Sequence, residues 1–402
     1  MLIPVPWERS GGDDMLELSA PQTAKGSVFD QQSARMRTWT RWVILSVVCI
    51  VGIVVGLNIV IDANGVLRTD LTRQFQPPNM SFAKIERIRR DTSAFDSFLF
   101  GSSRVGAINA GHIPGGRYYN LFYAAGLPEE HLQHLRYLLR VGVPVKNVMV
   151  GLDEFSGLFD PADHDADLDL QVHPAVSGKS LVTFYAQHFF KLNRLVPQLQ
   201  AYVRYNYTHR VPADQRRIIY DLERTGNLFC PRCDDDVEQD LSAHVKSSKF
   251  LQPWEYRFVE GDHIEAAISA IRSMADLARS RGFRLIVFIN PIHRTTYLNT
   301  DLRKFARFKQ ELAAITDYYD FSGLNSITTN NYYFYETSHY RPLVGDMMLR
   351  VMLGAPQVHV PRDFGFLVTS QNVAAHLREQ CLEVKASQGG PGRGAACLQG
   401  PC

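Results

Sequence analysis

The sequence has little cysteine. Six in 402 residues are too few for a disulfide scaffold, so a buried apolar core has to hold the fold. Neither sign of charge is in excess: 43 basic residues stand against 41 acidic ones. No long basic run is interleaved with aromatics, which argues against a nucleic-acid surface. No internal repeat is evident, and without one a solenoid is not expected.

What the chain does have is "WVILSVVCIVGIVVGLNIVI", from Trp42 to Ile61, twenty residues without a charge. A helix of that length matches the roughly 30 Å hydrocarbon core of a bilayer, so residues 42–61 are expected to form one transmembrane helix. A cleaved signal peptide is the rival reading. It fits less well, because about forty residues precede the run, the run exceeds the usual ~7–15 apolar residues, and no clear small-residue cleavage site follows. Arg35, Arg37 and Arg41 lie before the span and Asp62 opens the other side. Positive charge stays inside, so residues 1–41 are expected in the cytoplasm and everything after about 62 outside the membrane, in the periplasm if the cell is Gram-negative. Gly52 and Gly56 have G-x-x-x-G spacing, which lets two helices approach, although glycine is common in such helices anyway.

Cys49 lies in the span, which leaves Cys230, Cys233, Cys381, Cys397 and Cys402 outside it. In "CPRCDDD", thioredoxin-like chemistry would need the motif to open a helix in a βα unit, and zinc would need two more ligands. A local disulfide or two inert thiols are the readings that remain. No metal site and no organic cofactor are expected.

Residues 62–94 are polar and broken by "QPPN", and are expected to form a stalk. From residue 95 strand-like and helix-like runs alternate. "FDSFLFG", "RYYNLFYAAG", "VKNVMVGLD" and "FRLIVFINP" are apolar and short, while "HLQHLRYLLRVG" and residues 262–281 carry one apolar helical face each. That alternation predicts an α/β domain over 95–361, a three-layer, mainly parallel sheet with helices on both faces. The rhythm pauses over 156–261, read as an insertion. Residues 362–402 are expected to be a C-terminal extension, partly disordered in its Gly-rich part from Ala386.

In an open parallel sheet, chemistry gathers where strands end. "FLFGSSR" ends one strand: Gly101 permits a tight turn, and Ser102 and Ser103 either cap the next helix or offer a nucleophile. A serine needs a base, and "FYETSHYRP" supplies His339 with Glu336 three residues earlier. His293 in "NPIHR" belongs to the same edge, as a pocket residue or a structural one. Acidic "DHDADLD" lacks the glycine and terminal glutamate of an EF-hand loop and is read as a solvated loop. "YVRYNY" offers aromatics for sugar stacking or for core packing.

"FLFGSSR", "YNLFYAAG", "VMVGLDEF" and "FYETSHYRP" occur in the order of the blocks of the SGNH (GDSL-like) hydrolase superfamily, which the region from Phe95 to Leu353 resembles, apart from the insertion. The similarity is to membrane-anchored, extracytoplasmic members associated with acyl groups on envelope polysaccharides. The resemblance implies an SGNH/flavodoxin-like fold with Ser103 as nucleophile, His339 as general base and Glu336 in the acid's place. It implies an oxyanion hole built from Ser103 N–H, Gly126 N–H and a third block. That block usually carries asparagine, and here it holds Asp153, an acceptor when ionised. Asp153 is then structural, or protonated, or part of a variant site in which Asn120 or Arg104 supplies the donor. The implied partners are an acylated carbohydrate or acyl donor, the membrane through one helix, and envelope polysaccharide machinery. The implied activity is that of an acyl-esterase or O-acyltransferase, and the alternative is a non-catalytic SGNH-like protein of polysaccharide assembly or export.

Overall fold

The computed structural model describes residues 24–67, 78–208 and 218–387. The expected tail before residue 24, the middle of the expected stalk and the Gly-rich end lie outside them. The chain divides into two compact units, one up to Gly56 and one from Leu57 onward.

Helix α1 (Ala24–Ile61) is long and apolar enough from Asp30 to Ile61 to cross a membrane. Trp39, Trp42, Ile44, Val48 and Ile53 are exposed along it, and a helix apolar all round needs a nonaqueous surrounding. The helix stops where Asp62 folds back, its carboxylate accepting the N–H groups of Val66 and Leu67 at 2.9 and 3.0 Å.

The expected stalk is corrected wherever 62–94 is described. Asp62, Ala63, Asn64 and Val66 are buried, and Asn64 donates to Asp169 at 2.6 Å. Helix α2 (Met80–Arg90) buries Phe82, Ile85 and Ile88 and is capped by Asn79. Seven of its eleven residues are buried, Ser81 and Lys84 among them, and Lys84 Nζ donates to the Phe122 carbonyl at 2.8 Å, so the helix packs although its Arg and Glu residues give the segment a polar look.

The second unit is an α/β fold on a six-stranded sheet. Its first half holds β1 (Ser97–Phe100), β2 (Tyr118–Asn120), α3 (Pro128–Arg140) and β3 (Asn147–Leu152). The insertion supplies α4 (Pro161–Ala166), α5 (Pro174–Ser177), α6 (Leu181–Phe189), α7 (Leu195–Tyr207), the hairpin β4 (Ile219–Asp221) and β5 (Asn227–Phe229), α8 (Pro231–Gln239) and α9 (Leu241–Val245). Then come α10 (Ile264–Arg281), β6 (Arg284–Ile289), α11 (Arg294–Asn299), α12 (Leu302–Ala313), β7 (Tyr318–Asp320), α13 (Pro342–Leu353), β8 (Phe366–Val368) and α14 (Val373–Ser387).

Strand order is β2-β1-β3-β6-β7-β8. Every pairing in it is parallel except β7 with β8. Alternate residues of each central strand feed opposite cores. Phe98, Phe100, Val148, Val150, Val287 and Ile289 join the α3, α10 and α12 side, whereas Leu99, Met149, Ile286 and Phe288 join the side covered by α13. Truncating a fully buried Phe288 to alanine would cost about 3–5 kcal/mol.

The chain leaves β1 in one direction along the sheet to β2 and then returns to β3, so strand order reverses between β1 and β3. A crevice at the C-terminal ends of those two strands is where such sheets bind ligands, and Ser103 follows one of them and Asp153 the other.

The expected domain end at 361 is also corrected. β8 adds an antiparallel edge strand, and α14 contributes His376 and Gln380 to a buried cluster. Asp320 takes Nζ of Lys309 at 2.8 Å and Nε2 of His376 at 2.8 Å, while Gln380 accepts from Lys309. Three residues of β8, two of them exposed, left no periodicity to read. Cys230 and Cys233 form a disulfide at the start of α8, as one of the two readings held.

Candidate functional site

The turn after β1 is shaped by two glycines. A Cβ on Gly101 would stand 2.3 Å from Cγ2 of Val105 and 3.0 Å from the Gly151 carbonyl, and a Cβ on Gly151 would also meet Val105, at 2.4 Å. With both absent, Val105 seats between β1 and β3 and a short 3₁₀ turn, Ser103–Ala107, follows immediately. One of the two roles considered for the serines, the cap, is filled. Ser102 caps the turn, its Oγ accepting the N–H of Arg104, and Ser103 is left half-buried with its hydroxyl turned to His339.

Ser103 Oγ lies 2.8 Å from His339 Nε2. The other ring nitrogen, Nδ1, is hydrogen-bonded to Glu336 Oε1. Three residues of separation suffice because the chain closes on itself here: Tyr335 N–H donates to the His339 carbonyl and Arg341 N–H to that of Tyr333, both at 2.9 Å. Inside the loop, Glu336 accepts the N–H groups of Ser338 and His339 at 2.6 and 2.9 Å. Burial pushes the Glu336 carboxyl up, but His339 and these N–H groups outweigh it and hold it below its ordinary value.

Arg104 follows the candidate nucleophile and is fully buried. Nε donates to the Ser338 carbonyl at 2.9 Å. Nη1 donates to Asp153 and Glu154 at 2.8 and 2.6 Å, and Nη2 to Glu154 and the Tyr256 hydroxyl, both at 2.9 Å. All five guanidinium N–H groups are thereby used. Arg104 is a buried tie between the serine turn, the end of β3, the insertion and the histidine loop, and the expectation that it donates to an oxyanion is corrected.

Asn120 is corrected for the same reason. Its amide donates to the Val105 and Ile108 carbonyls at 2.9 and 3.2 Å and accepts from Phe122 N–H, which fixes the serine turn from below. Asp153 takes Arg104 and, at 3.1 Å, Asn290, the contacts of a structural residue. Burial raises its carboxyl despite Arg104.

Gly126 packs against the turn: a Cβ there would meet the Gly101 carbonyl at 2.7 Å. Its N–H is given to the Tyr123 carbonyl at 3.3 Å. Ala125 beside it has φ +52°, a conformation that costs a non-glycine residue about 1 kcal/mol and recurs near functional sites. Of the expected oxyanion donors, the N–H of Ser103, at the start of its turn, is the candidate that these contacts leave.

Other expectations resolve structurally. His293 is buried, bonded to Asn331 at 2.9 Å and capping α11. Asp160 caps α4, while Asp165 and Asp167 pair with Lys179 and Arg257. Among the described residues no three His, Cys, Asp or Glu side chains converge as a metal site would require. Tyr202 and Tyr205 of "YVRYNY" pack with Ile61 and Ala63.

Sequence reasoning missed the residues that the insertion brings. Trp254 sets its ring edgewise on His339, centroids 5.4 Å apart, and its backbone N–H donates to the Thr296 hydroxyl, which in turn donates to the Thr337 carbonyl. Arg341, two residues after His339, pairs with Asp234 and Glu238 of α8 at 2.8 and 2.7 Å. The insertion thus buttresses the histidine loop. The one available sequence signal was the tryptophan in an otherwise unpatterned stretch. No family model matches the chain, and no curated protein matches it in sequence.

Proposed function

We propose that this is a membrane-anchored serine acyl-transfer enzyme of SGNH type, an ester hydrolase or O-acyltransferase whose α/β unit works outside the cytoplasm. The observation that carries the reading is the hydrogen-bonded chain from Ser103 through His339 to Glu336. The flavodoxin-like strand order and the position of Ser103 at the β1/β3 reversal support it.

In the first step Ser103 Oγ attacks an ester carbonyl as its proton passes to His339 Nε2, and the negative charge moves to the carbonyl oxygen beside Ser103 N–H. Collapse breaks the bond to the leaving alcohol, which takes the proton back from His339. Water or a sugar hydroxyl then gives its proton to His339 as it attacks the acyl-Ser103 carbonyl, and the acyl–Oγ bond breaks as His339 returns that proton to Ser103 Oγ, releasing acid or a new ester. Ionised Glu336 orients the imidazole through its bond to Nδ1. The resemblance to envelope polysaccharide enzymes points to acetyl groups on a surface polymer, and a partly exposed His339 suits a bulky substrate.

The full-length protein, purified in detergent, is treated with a fluorophosphonate probe beside Ser103→Ala and His339→Ala. Labelling of wild type alone is expected. A folded wild type that stays unlabelled would remove the enzyme reading. The second reading, a non-catalytic polymer-binding or assembly protein, is favoured by one observation: Arg104 and Asn120 have no N–H to spare and that of Gly126 is engaged, so the oxyanion hole is poor in donors. Removing one such donor typically costs about 10²–10³ in rate.

A further inference from the structure

Helix α7 has apolar residues on two adjacent faces. Leu195, Leu199 and Tyr202 lean on Ile61 and Ala63, where α1 ends. The neighbouring face carries Val196, Val203 and Tyr207, at the i, i+7 and i+11 spacing of one helical stripe, and these are 64%, 42% and 74% exposed. Just before the helix, Phe190 and Leu192 are also exposed. No residue of α7 is buried, and the Ile61 and Ala63 contact leaves this outer apolar stripe unexplained.

Position settles what covers it. Asn58, one turn before the end of α1, donates to the carbonyls of Phe189 and Lys191, both at 2.8 Å. The segment 189–192 is therefore pinned at the level of the last turn of α1, and a helix that crosses a bilayer ends at its headgroups. Charge agrees. Between Asp169 and Asp214 the sequence has no acidic residue, while Lys191, Arg194 and Arg204 lie within it beside Lys179, which is taken by Asp165. Cations, tyrosines and exposed aliphatics together are the composition of an interfacial segment beside anionic lipid.

We propose that Phe190, Leu192 and the outer face of α7 lie in the headgroup region of the bilayer that α1 crosses, as a second, monotopic membrane contact. With residues 57–66 packed into the α/β unit, this contact gives that unit its own attachment to lipid. The proposal rests on α1 being a membrane span and is independent of the acyl chemistry.

The test uses the full chain with Cys49, Cys397 and Cys402 changed to serine, in phosphatidylethanolamine–phosphatidylglycerol vesicles. Spin labels are placed singly at Phe190→Cys, Leu192→Cys, Ile53→Cys within α1, and Leu367→Cys on β8. Collision rates with oxygen and with a water-soluble nickel complex are measured. Expected is an oxygen-to-nickel ratio at 190 and 192 several-fold above that at 367, approaching that at 53. A water-like ratio at 190 and 192 with a lipid-like one at 53 overturns the proposal and keeps the span. Low rates for both reagents at 190 and 192 overturn it in favour of a protein cover, a second copy included. A water-like ratio at 53 removes the span and the proposal together.

Discussion

Arg104 Nε is bonded to the carbonyl of Ser338 at 2.9 Å, so the residue after the candidate nucleophile holds the residue before the candidate base. The distance between Ser103 and His339 is set through this buried bond, across 234 residues of sequence.

Arg104→Lys keeps the positive charge but should still be costly, because the site is buried and built for a fork. Lysine offers one point in place of a fork, leaving Glu154, Tyr256 or Ser338 without its partner in a dry site, and broken buried pairs cost about 3–5 kcal/mol. A urea midpoint well below wild type is expected, with slower fluorophosphonate labelling at temperatures where the variant is folded. An unchanged midpoint and rate would show that the tie is dispensable.

Glu336→Gln keeps the shape but removes the charge behind His339. By analogy with other serine triads the acylation rate should fall about 10³–10⁴-fold. The pH behaviour follows from the depressed carboxyl of Glu336. Its stabilisation is fully present above the unfolded value near pH 4.3 and is lost as pH falls through the lower folded value. The stability difference between wild type and variant should hold from pH 7 down to about pH 4.5 and shrink only below. A difference that vanishes near pH 6 would contradict the depressed carboxyl.

Asp153 has the opposite sign. Burial raises its carboxyl in the fold, so the folded state binds the proton more tightly than the unfolded one. Stability attributable to it falls as pH rises from about 3.9 to the higher folded value. Asp153→Asn should abolish that slope, read from denaturant midpoints over pH 3.5–7. Parallel pH curves for the two proteins would show that Asp153 is not held protonated beyond its ordinary range.

The Lys309–Asp320 pair lies where a C-terminal extension meets the sheet. Asp320→Ala strands a buried ammonium whose desolvation already lowers its pKa, and a loss of about 3–5 kcal/mol is expected in thermal or urea unfolding. Lys309→Met with Asp320→Leu should recover most of it, because both charges leave together. If the single variant is as stable as wild type, α14 is not integral to the fold.

The sequence by itself determined what depends on local periodicity and composition. The uncharged run to Ile61, the alternation of strand and helix, and the glycine and serines after β1 are all properties of neighbours in the chain, and the helix, the parallel sheet and the tight turn follow from them. Even the bond between Glu336 and His339 is a three-residue matter. Tertiary structure decided the rest, because burial and partner choice are not local. Polar 80–90 packs because burial takes seven of its eleven residues, and the one buried cation, Lys84, finds the carbonyl of distant Phe122. Arg104 and Asn120 are not spare donors, since their partners arrive from distant segments, residues 153, 154, 256 and 338 for the one and folded-over carbonyls for the other. Trp254 meets His339 only when the insertion closes, and α7 is placed at the end of α1 by Asn58, a residue that in the sequence is merely a polar interruption of an apolar run.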